Sequence, residues 1–225
     1  MKQEQGRIGL TRRLFADRRG VNAVEFAYLS PVILALGLYG LETANLAYTH
    51  LKISQATANL ADNVSRIGTI DDDGVKTLRE ADINDSLAAL RRTTTGIGLT
   101  TYGRVILSSL ERNAQDGQWI HWQRCIGLKN APSTFGAAGD GATGRAFAGM
   151  GPPGQQVEAP PGSGVMFVET IYDYQPLVGQ YLLGPRAVRS RAAFVVRDQR
   201  VFTDPDNPSN PNPAAPVASC TTFTA

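Results

Sequence analysis

The sequence contains few of the residues that bind metals or act as nucleophiles. It has two histidines, His50 and His121, and two cysteines, Cys125 and Cys220. No CxxC or HxxxH spacing is present, so the sequence predicts no metal site. It also lacks the GxxxxGK[ST] phosphate-binding loop and the GxSxG nucleophile elbow. We therefore expect no bound cofactor and no catalytic residue.

The net charge is also small, at +2, and it is unevenly distributed. Residues 1–20 carry six basic and two acidic side chains, a net charge of +4. The rest of the chain carries 16 basic and 18 acidic side chains, a net charge of −2. Because the larger part of the chain is weakly acidic, its charge does not indicate nucleic-acid binding.

Residues 21–41 form the long apolar run of the sequence, and Glu25 is the single charged residue within it. As a helix, this run is about long enough to cross a bilayer. Basic residues precede it and none follows closely, so the positive-inside rule places the N-terminus in the cytoplasm. A cleaved secretory signal is the competing topology, but the run is long for a signal and has no obvious small-residue cleavage site. We expect a retained single-pass span.

The carboxylate of Glu25 needs an explanation, because a charge near the centre of a membrane segment costs on the order of 2.5–3.5 kcal/mol. In one interpretation, Glu25 lies near the membrane edge and its side chain reaches the lipid headgroups. In the other, it pairs with a cation that another subunit supplies.

The residues around Gly20 resemble a known processing site. Gly20 follows a basic leader that ends in Arg18-Arg19, and Glu25-Phe26 follows five residues later. This pattern resembles the cleavage site of type IV prepilins. With the Ala-Tyr-Leu-Ser-Pro that comes next, it is most similar to the TadE-like proteins of the Tad/Flp pilus system. The resemblance is clearest from residue 18 to about residue 67.

The resemblance implies a minor pilin or pseudopilin anchored in the bacterial inner membrane, with its outer domain in the periplasm or outside the cell. A prepilin peptidase would cut between Gly20 and Val21, which makes Glu25 the fifth residue of the mature chain. The new α-amino group, with a pKa of about 8, would then be the cation that a neighbouring Glu25 neutralises. Glu25 and Phe26 would take part in subunit assembly.

The implied partners are the prepilin peptidase, other Tad pilus subunits, their assembly platform and the lipid bilayer. The size of the chain favours a minor subunit, because the major Flp pilin of that system is far smaller.

The helix is predicted to continue beyond the apolar run. Leu46, Ile53, Leu60 and Ile67 recur every seven residues with polar residues between them, which indicates an amphipathic helix. We expect this stripe to pack on the protein's own domain, and its membrane-near half also to pack on other subunits. Gly68 and the acidic triplet at 71–73 should end the helix. We interpret the triplet as a solvated turn, since it lacks the ligand spacing of a calcium loop.

The remaining pattern predicts an α+β fold, in which the long N-terminal transmembrane and amphipathic helix packs on a small antiparallel, pilin-like sheet with long Gly/Pro-rich loops. Asp82 or Asn84 is expected to cap a second helix over 82–92, and a link is expected over 93–99. The strand-like segments are 103–110, 118–126, 165–174 and 188–196.

Within this sheet, the first two strands should form a hairpin. The strand over 165–174 should be central, because both of its faces are apolar. Residues 130–164 are rich in Gly, Ala and Pro, a composition typical of surface loops. The short apolar segment at 176–183 is expected to pack on the sheet or to touch the lipid surface.

Four regions result from these patterns. They are a basic cytoplasmic leader over 1–20, a transmembrane helix over 21–47, a pilin-like extracytoplasmic domain over 48–203 and a proline-rich tail over 204–225. Two cysteines in an extracytoplasmic domain suggest one disulfide, between Cys125 and Cys220, which would fasten the tail to the sheet. The chain-entropy model gives such a long loop roughly 4–5 kcal/mol of stabilisation.

Two other classes of protein remain open at this point. The first is an uncleaved, TadG-like membrane anchor with a scaffolding or adhesive outer domain. The second is a membrane-tethered periplasmic enzyme, which a buried polar cluster around His121, Glu169 and Asp173 would indicate.

Overall fold

The computed structural model describes residues 20–70, 74, 76–197, 200–206 and 214–225. The predictions made for the basic leader before Gly20, for the acidic triplet at 71–73 and for 207–213 of the proline-rich tail lie outside the described residues.

A single helix, α1 (Val21–Arg66), runs through the predicted span and the amphipathic stretch without interruption. Its first half is exposed up to Leu41, whereas Glu42 is the first fully buried residue. The helix ends where Ile67 turns to extended backbone, and Gly68 follows with a φ of 155°. A Cβ at Gly68 would lie 2.7 Å from the carbonyl oxygen of Thr77, so a glycine is needed at this end of the helix.

A second helix, α2 (Glu80–Thr94), follows a small two-stranded sheet of β1 (Thr69–Ile70) and β2 (Lys76–Thr77). Asp82 caps α2 from its third position, because its carboxylate accepts a hydrogen bond from the backbone N–H of Arg79. Asn84 does not cap the helix, and its amide instead donates to the carbonyl of Pro216.

The link predicted over 93–99 is largely helical. It contains the end of α2, a 3₁₀ turn (Thr95–Ile97) and the start of α3 (Leu99–Tyr102). The hydroxyls of Thr94 and Thr95 donate to the carbonyls of Leu90 and Arg91, so both side chains bond back to α2. Gly98, with a φ of 61°, then separates the two short helices.

Four antiparallel strands form the main sheet: β3 (Gly103–Arg112), β4 (Gln118–Ile126), β5 (Val165–Asp173) and β6 (Ala187–Val195). Their order is β4-β3-β5-β6, which confirms both the β3–β4 hairpin and the central position of β5. In this register Gly103 pairs with Tyr172, and Val188 lies on the other side of Tyr172. A short helix, α4 (Gln180–Leu183), lies between β5 and β6.

The amphipathic half of α1 packs across one face of this sheet, as predicted. Ile53 and Leu60 are buried against sheet residues such as Val168 and Val188, while Leu46 and Ile67 pack at the edges of the same cluster. Burial of each such side chain is worth about 1.5–3 kcal/mol, so this stripe is the main attachment of the helix to the domain. The fold class predicted from the sequence is confirmed.

The segment between β4 and β5 covers the opposite face of the sheet. It has no regular helix or strand, as expected, but Met150 and Ala159 within it are fully buried. They pack with Leu110, Ile120 and Phe167 from the sheet. The Gly/Pro-rich stretch is therefore a packed layer of the domain as well as a loop.

The C-terminal residues are fastened to the outer strand β4. Cys125 and Cys220 form a disulfide across a sequence separation of 95, as predicted. The backbone N–H groups of Cys125 and Gly127 also donate to the carbonyls of Ala218 and Thr224. The tail is thus held by main-chain hydrogen bonds as well as by the covalent link.

Candidate functional site

Gly20 immediately precedes the first residue of α1. Its φ and ψ of −89° and −7° are values that any residue adopts, and its carbonyl accepts a hydrogen bond from the N–H of Val24. A Cβ added at Gly20 would meet no atom of the described chain within 4 Å. The fold of the described residues therefore gives no reason for a glycine at this position.

Glu25 and Phe26 lie one helical turn further along, and both are exposed. The Phe26 side chain is 70% exposed. Within the described part of the chain, the Glu25 carboxylate has no hydrogen bond or ion pair. The described residues of this chain therefore supply no partner for the Glu25 carboxylate.

The first half of α1 is long and apolar enough to cross a membrane, and its most apolar window packs on no other part of the domain. This window holds exposed side chains such as Leu29, Ile33 and Leu36. Its length and composition suit a membrane anchor, because a bilayer would then cover apolar side chains that water would otherwise contact.

A buried carboxylate marks the point where α1 reaches the domain. The Oε1 atom of Glu42 accepts a hydrogen bond of 2.5 Å from the Tyr174 hydroxyl. Its Oε2 atom accepts bonds of 3.0 and 2.9 Å from the backbone N–H groups of Leu177 and Val178. The amide of Asn45 donates to the Tyr174 oxygen over 2.6 Å. Glu42 thus fixes the chain after β5 to the helix.

Tyr174 is held in its protonated form by this arrangement. Burial and the hydrogen bond to the Glu42 carboxylate raise the pKa of the Tyr174 phenol to about 12. The phenol therefore stays protonated, and able to donate to Glu42, to a higher pH than an exposed tyrosine would.

Sequence reasoning missed Glu42 as a functional or structural residue. A usable signal was present, because Glu42 lies seven residues before Thr49 and on the stripe that continues through Ile53 and Ala56. That spacing puts the carboxylate on the packing face of the helix. Its partners, which lie more than 130 positions away in sequence, have no comparable signal.

The three residues named for a hidden enzyme site make separate contacts. The Nδ1 atom of His121 lies 2.8 Å from the Glu111 carboxylate. Glu169 accepts hydrogen bonds from the hydroxyl of Ser133 and the N–H of Thr134. Asp173 pairs with Lys129. No shared polar cluster of these three residues is formed.

His121 belongs instead to a small network on the β3–β4 hairpin, in which Ser109 and Glu111 are buried. Glu111 bridges it to the hydroxyl of Ser109, which donates to the other carboxylate oxygen over 2.5 Å. The ring of His121 stacks on Trp119 at 4.1 Å. Because the carboxylate separates the hydroxyl from the imidazole, this arrangement does not provide a base next to a serine nucleophile.

Groups of three or more His, Cys, Asp or Glu side chains suited to a metal ion are absent from the described ranges. A groove of about 540 Å³ lies between α2 and the C-terminal residues, and it is lined largely by small and apolar side chains such as Ala81, Ala88 and Val217. Cys125 of the disulfide forms part of its lining.

In comparisons with known proteins, no family model matches this chain, and neither a curated protein nor a solved structure matches it. The assignment of function therefore depends on the residues and their geometry.

Proposed function

We propose that this chain is a membrane-anchored minor pilin or pseudopilin of the TadE-like family, which takes part in assembly of a Tad/Flp-type pilus. It inserts in the bacterial inner membrane with its N-terminus in the cytoplasm. A prepilin peptidase removes residues 1–20, and the outer domain then contacts other pilus subunits.

One observation carries this proposal: the Gly20–Glu25–Phe26 pattern lies at the start of a helix whose two halves differ in burial. Residues 21–41 are apolar and exposed, whereas the second half lies under an antiparallel sheet. A subunit that is held in the bilayer before assembly, and that then packs on its neighbours through the same helix, requires both halves. The apolar half lies free of the domain, and the second half attaches the domain to the helix.

The environment of Gly20 supports the peptidase as the reason for this residue. A side chain at this position would fit the described fold without a clash, since no atom lies within 4 Å of the added Cβ. A glycine that the fold does not need is explained by an enzyme that must approach the backbone closely.

Exposure of Glu25 and Phe26 supports their role in assembly. An isolated carboxylate in an apolar phase is costly unless it is paired. The α-amino group that cleavage creates at Val21 of a neighbouring subunit is a cation of suitable chemistry for Glu25. Phe26 adds apolar surface beside it.

The test is the N-terminus of the mature protein. The full-length chain is produced with and without the prepilin peptidase of its host, and intact masses are measured in the membrane fraction. Loss of residues 1–20 only in the presence of the peptidase supports the proposal. A chain that begins at Met1 in both samples assigns the protein to the uncleaved, TadG-like anchors. Cleavage after about residue 40 in both samples means an ordinary secreted protein.

The matched control is Gly20→Ala. The substitution leaves the described fold unstrained, so the protein should still insert and fold. We expect it to block the peptidase-dependent loss of mass.

A further inference from the structure

The loop between β5 and β6 presents apolar side chains that the folded domain does not cover. In this apolar loop (residues 175–183), Leu177 is 64% exposed, and the Tyr181 side chain is fully exposed. Val178 is exposed as well. Loops with so many uncovered apolar groups mark a contact surface.

The position of the apolar loop along α1 is set by Glu42. The carboxylate binds the backbone N–H groups of Leu177 and Val178 directly. Glu42 is the residue that follows the apolar run at 21–41. A helix of that length spans about 30 Å, the thickness of the hydrocarbon core of a bilayer. When residues 21–41 fill the core, Glu42 and the loop bonded to it lie at its outer boundary.

We propose that the apolar loop is a second membrane contact, in which Leu177, Val178 and Tyr181 rest in the outer leaflet at the headgroup boundary. The proposal depends on the membrane-anchor part of the proposed function, but not on cleavage or on pilus assembly. Its effect is to hold the outer domain at a fixed height and tilt against the bilayer.

The composition of the loop fits lipid as the occupant. Residues 175–186 contain no acidic side chain, and Arg186 at their end is exposed. Tyrosine is enriched at membrane–water boundaries, where its ring is apolar and its hydroxyl contacts water. An arginine beside it binds lipid phosphates.

Other exposed residues at the end of the sheet that carries the apolar loop are consistent with a nearby membrane. The register pairs Gly103 with Tyr172, so the start of β3 lies at the same end of the sheet as the apolar loop. Tyr102 just before it and Leu128 just after β4 are also exposed. The opposite end of the sheet, at Val165 and Leu110, is covered by the loop that contains Met150.

The test places a fluorescent reporter on the loop of the uncleaved, full-length protein. Tyr181→Trp changes a side chain that touches no part of the core, so the variant should fold. The protein is reconstituted in lipid nanodiscs of phosphatidylethanolamine and phosphatidylglycerol, with or without brominated acyl chains. We expect brominated lipid to quench the new tryptophan strongly and aqueous iodide to quench it weakly.

The matched control is Ile70→Trp. Ile70 is 68% exposed and lies beyond the far end of α1. Along the helix, that end is about 35 Å from Glu42. Iodide should quench this tryptophan and brominated lipid should not. The parent protein, with Trp119 and Trp122 on β4, supplies the background signal.

Two outcomes would overturn the proposal. Quenching of Tyr181→Trp by iodide and not by brominated lipid would mean that the loop faces water. Protection from both quenchers that grows with the number of copies per disc would mean that another subunit covers the loop. Neither outcome affects the mass test at Gly20, so the two proposals fail separately.

Glu42→Gln, combined with Tyr181→Trp, tests the positioning. Loss of the charge weakens the hydrogen bonds that the Leu177 and Val178 N–H groups donate to residue 42. Quenching of the tryptophan at position 181 by brominated lipid should therefore fall. Unchanged quenching would show that Glu42 does not set the position of the loop.

Discussion

The Tyr174 hydroxyl donates a hydrogen bond of 2.5 Å to the Glu42 carboxylate, and both residues are buried where the exposed half of α1 meets the domain. The contact joins residues that are 132 positions apart in sequence. It fixes the helix at the end of the domain where the chain would leave a membrane. Its loss should therefore affect both stability and the geometry of the anchor.

The first prediction concerns the strength of this contact. Glu42→Ala removes the acceptor of three donors, so we expect the free energy of unfolding to fall by about 1–3 kcal/mol or more. Tyr174→Phe keeps the ring and removes only the hydroxyl. Since a hydrogen bond to a charged group contributes about 1.5–3 kcal/mol, the double-mutant cycle of Glu42→Ala and Tyr174→Phe should give a coupling of that order.

The measurement is denaturant unfolding of the full chain in detergent, followed by near-ultraviolet circular dichroism. Thr43→Ala is the matched control, because the Thr43 hydroxyl bonds only to carbonyls of its own helix. That variant should lie within about 0.5 kcal/mol of the parent. A coupling near zero between Glu42 and Tyr174 would show that the two groups act independently.

The second prediction is an alkaline loss of stability that Tyr174 causes. Its phenol has a pKa of about 12 in the folded state, against 10.0 in the unfolded chain. Because the folded pKa is the higher one, the contribution is fully present below pH 10 and is lost as pH rises from 10 through about 12. Tyr174→Phe should remove this part of the pH dependence.

Tyr172 also has a raised pKa, because it is buried, so the parent protein alone does not isolate Tyr174. The informative quantity is the difference in unfolding free energy between the parent and Tyr174→Phe, followed with pH. A difference that stays constant up to pH 12 would contradict the shifted pKa.

The sequence predicts the parts of this fold that local patterns encode. The seven-residue spacing of Leu46, Ile53 and Leu60 gives the packing face of α1, and Gly68 gives its end. The alternation of apolar and polar residues, with turn residues between the segments, predicts the strands, including both ends of β4. These signals act over a few residues, so no tertiary information is needed to find them.

The contacts that join distant segments could not be predicted in the same way. Glu42 stands out in sequence as a carboxylate at the end of an apolar run, but nothing near Tyr174 or Leu177 identifies them as its donors. The Gly/Pro-rich stretch likewise has no periodicity that marks Met150 and Ala159 as core residues. Their burial depends on how the loop folds back on the sheet.

The third prediction concerns the buried ion pair that joins α2 to β4. Arg124 Nε donates to the Glu80 carboxylate over 2.8 Å, and the two side chains are 13% and 1% exposed. Arg124→Met leaves an unpaired carboxylate in the core and should cost about 3–5 kcal/mol. Adding Glu80→Leu removes that charge and should recover most of the loss.

An exposed pair provides the comparison. Arg66 and Asp62 form an ion pair on the surface of α1, with side chains 54% and 29% exposed. Arg66→Met should cost less than about 1 kcal/mol. If Arg124→Met costs no more than Arg66→Met, water must reach Glu80 and the pair is not desolvated.

The fourth prediction separates the two interpretations of Glu25. If Glu25 pairs with the α-amino group of a neighbouring subunit, Glu25→Ala and Glu25→Gln should both insert in the membrane normally and both impair pilus formation. The glutamine variant keeps the shape and loses the charge, so it tests the ion pair itself. If Glu25 only reaches headgroups from the membrane edge, both variants should insert and form pili as the parent does.

The assay counts pili by electron microscopy in the host and measures the membrane-bound protein and its cleaved fraction in the same cells. The cleaved fraction is needed because a variant that the peptidase no longer cuts would also fail to assemble, without any failure of pairing. Tyr28→Phe is the matched control, since Tyr28 is exposed one turn away and the substitution leaves the charge of the run unchanged. Normal piliation in a fully cleaved Glu25→Ala strain would show that this carboxylate does not hold a neighbouring subunit, because its only proposed cation would then be dispensable.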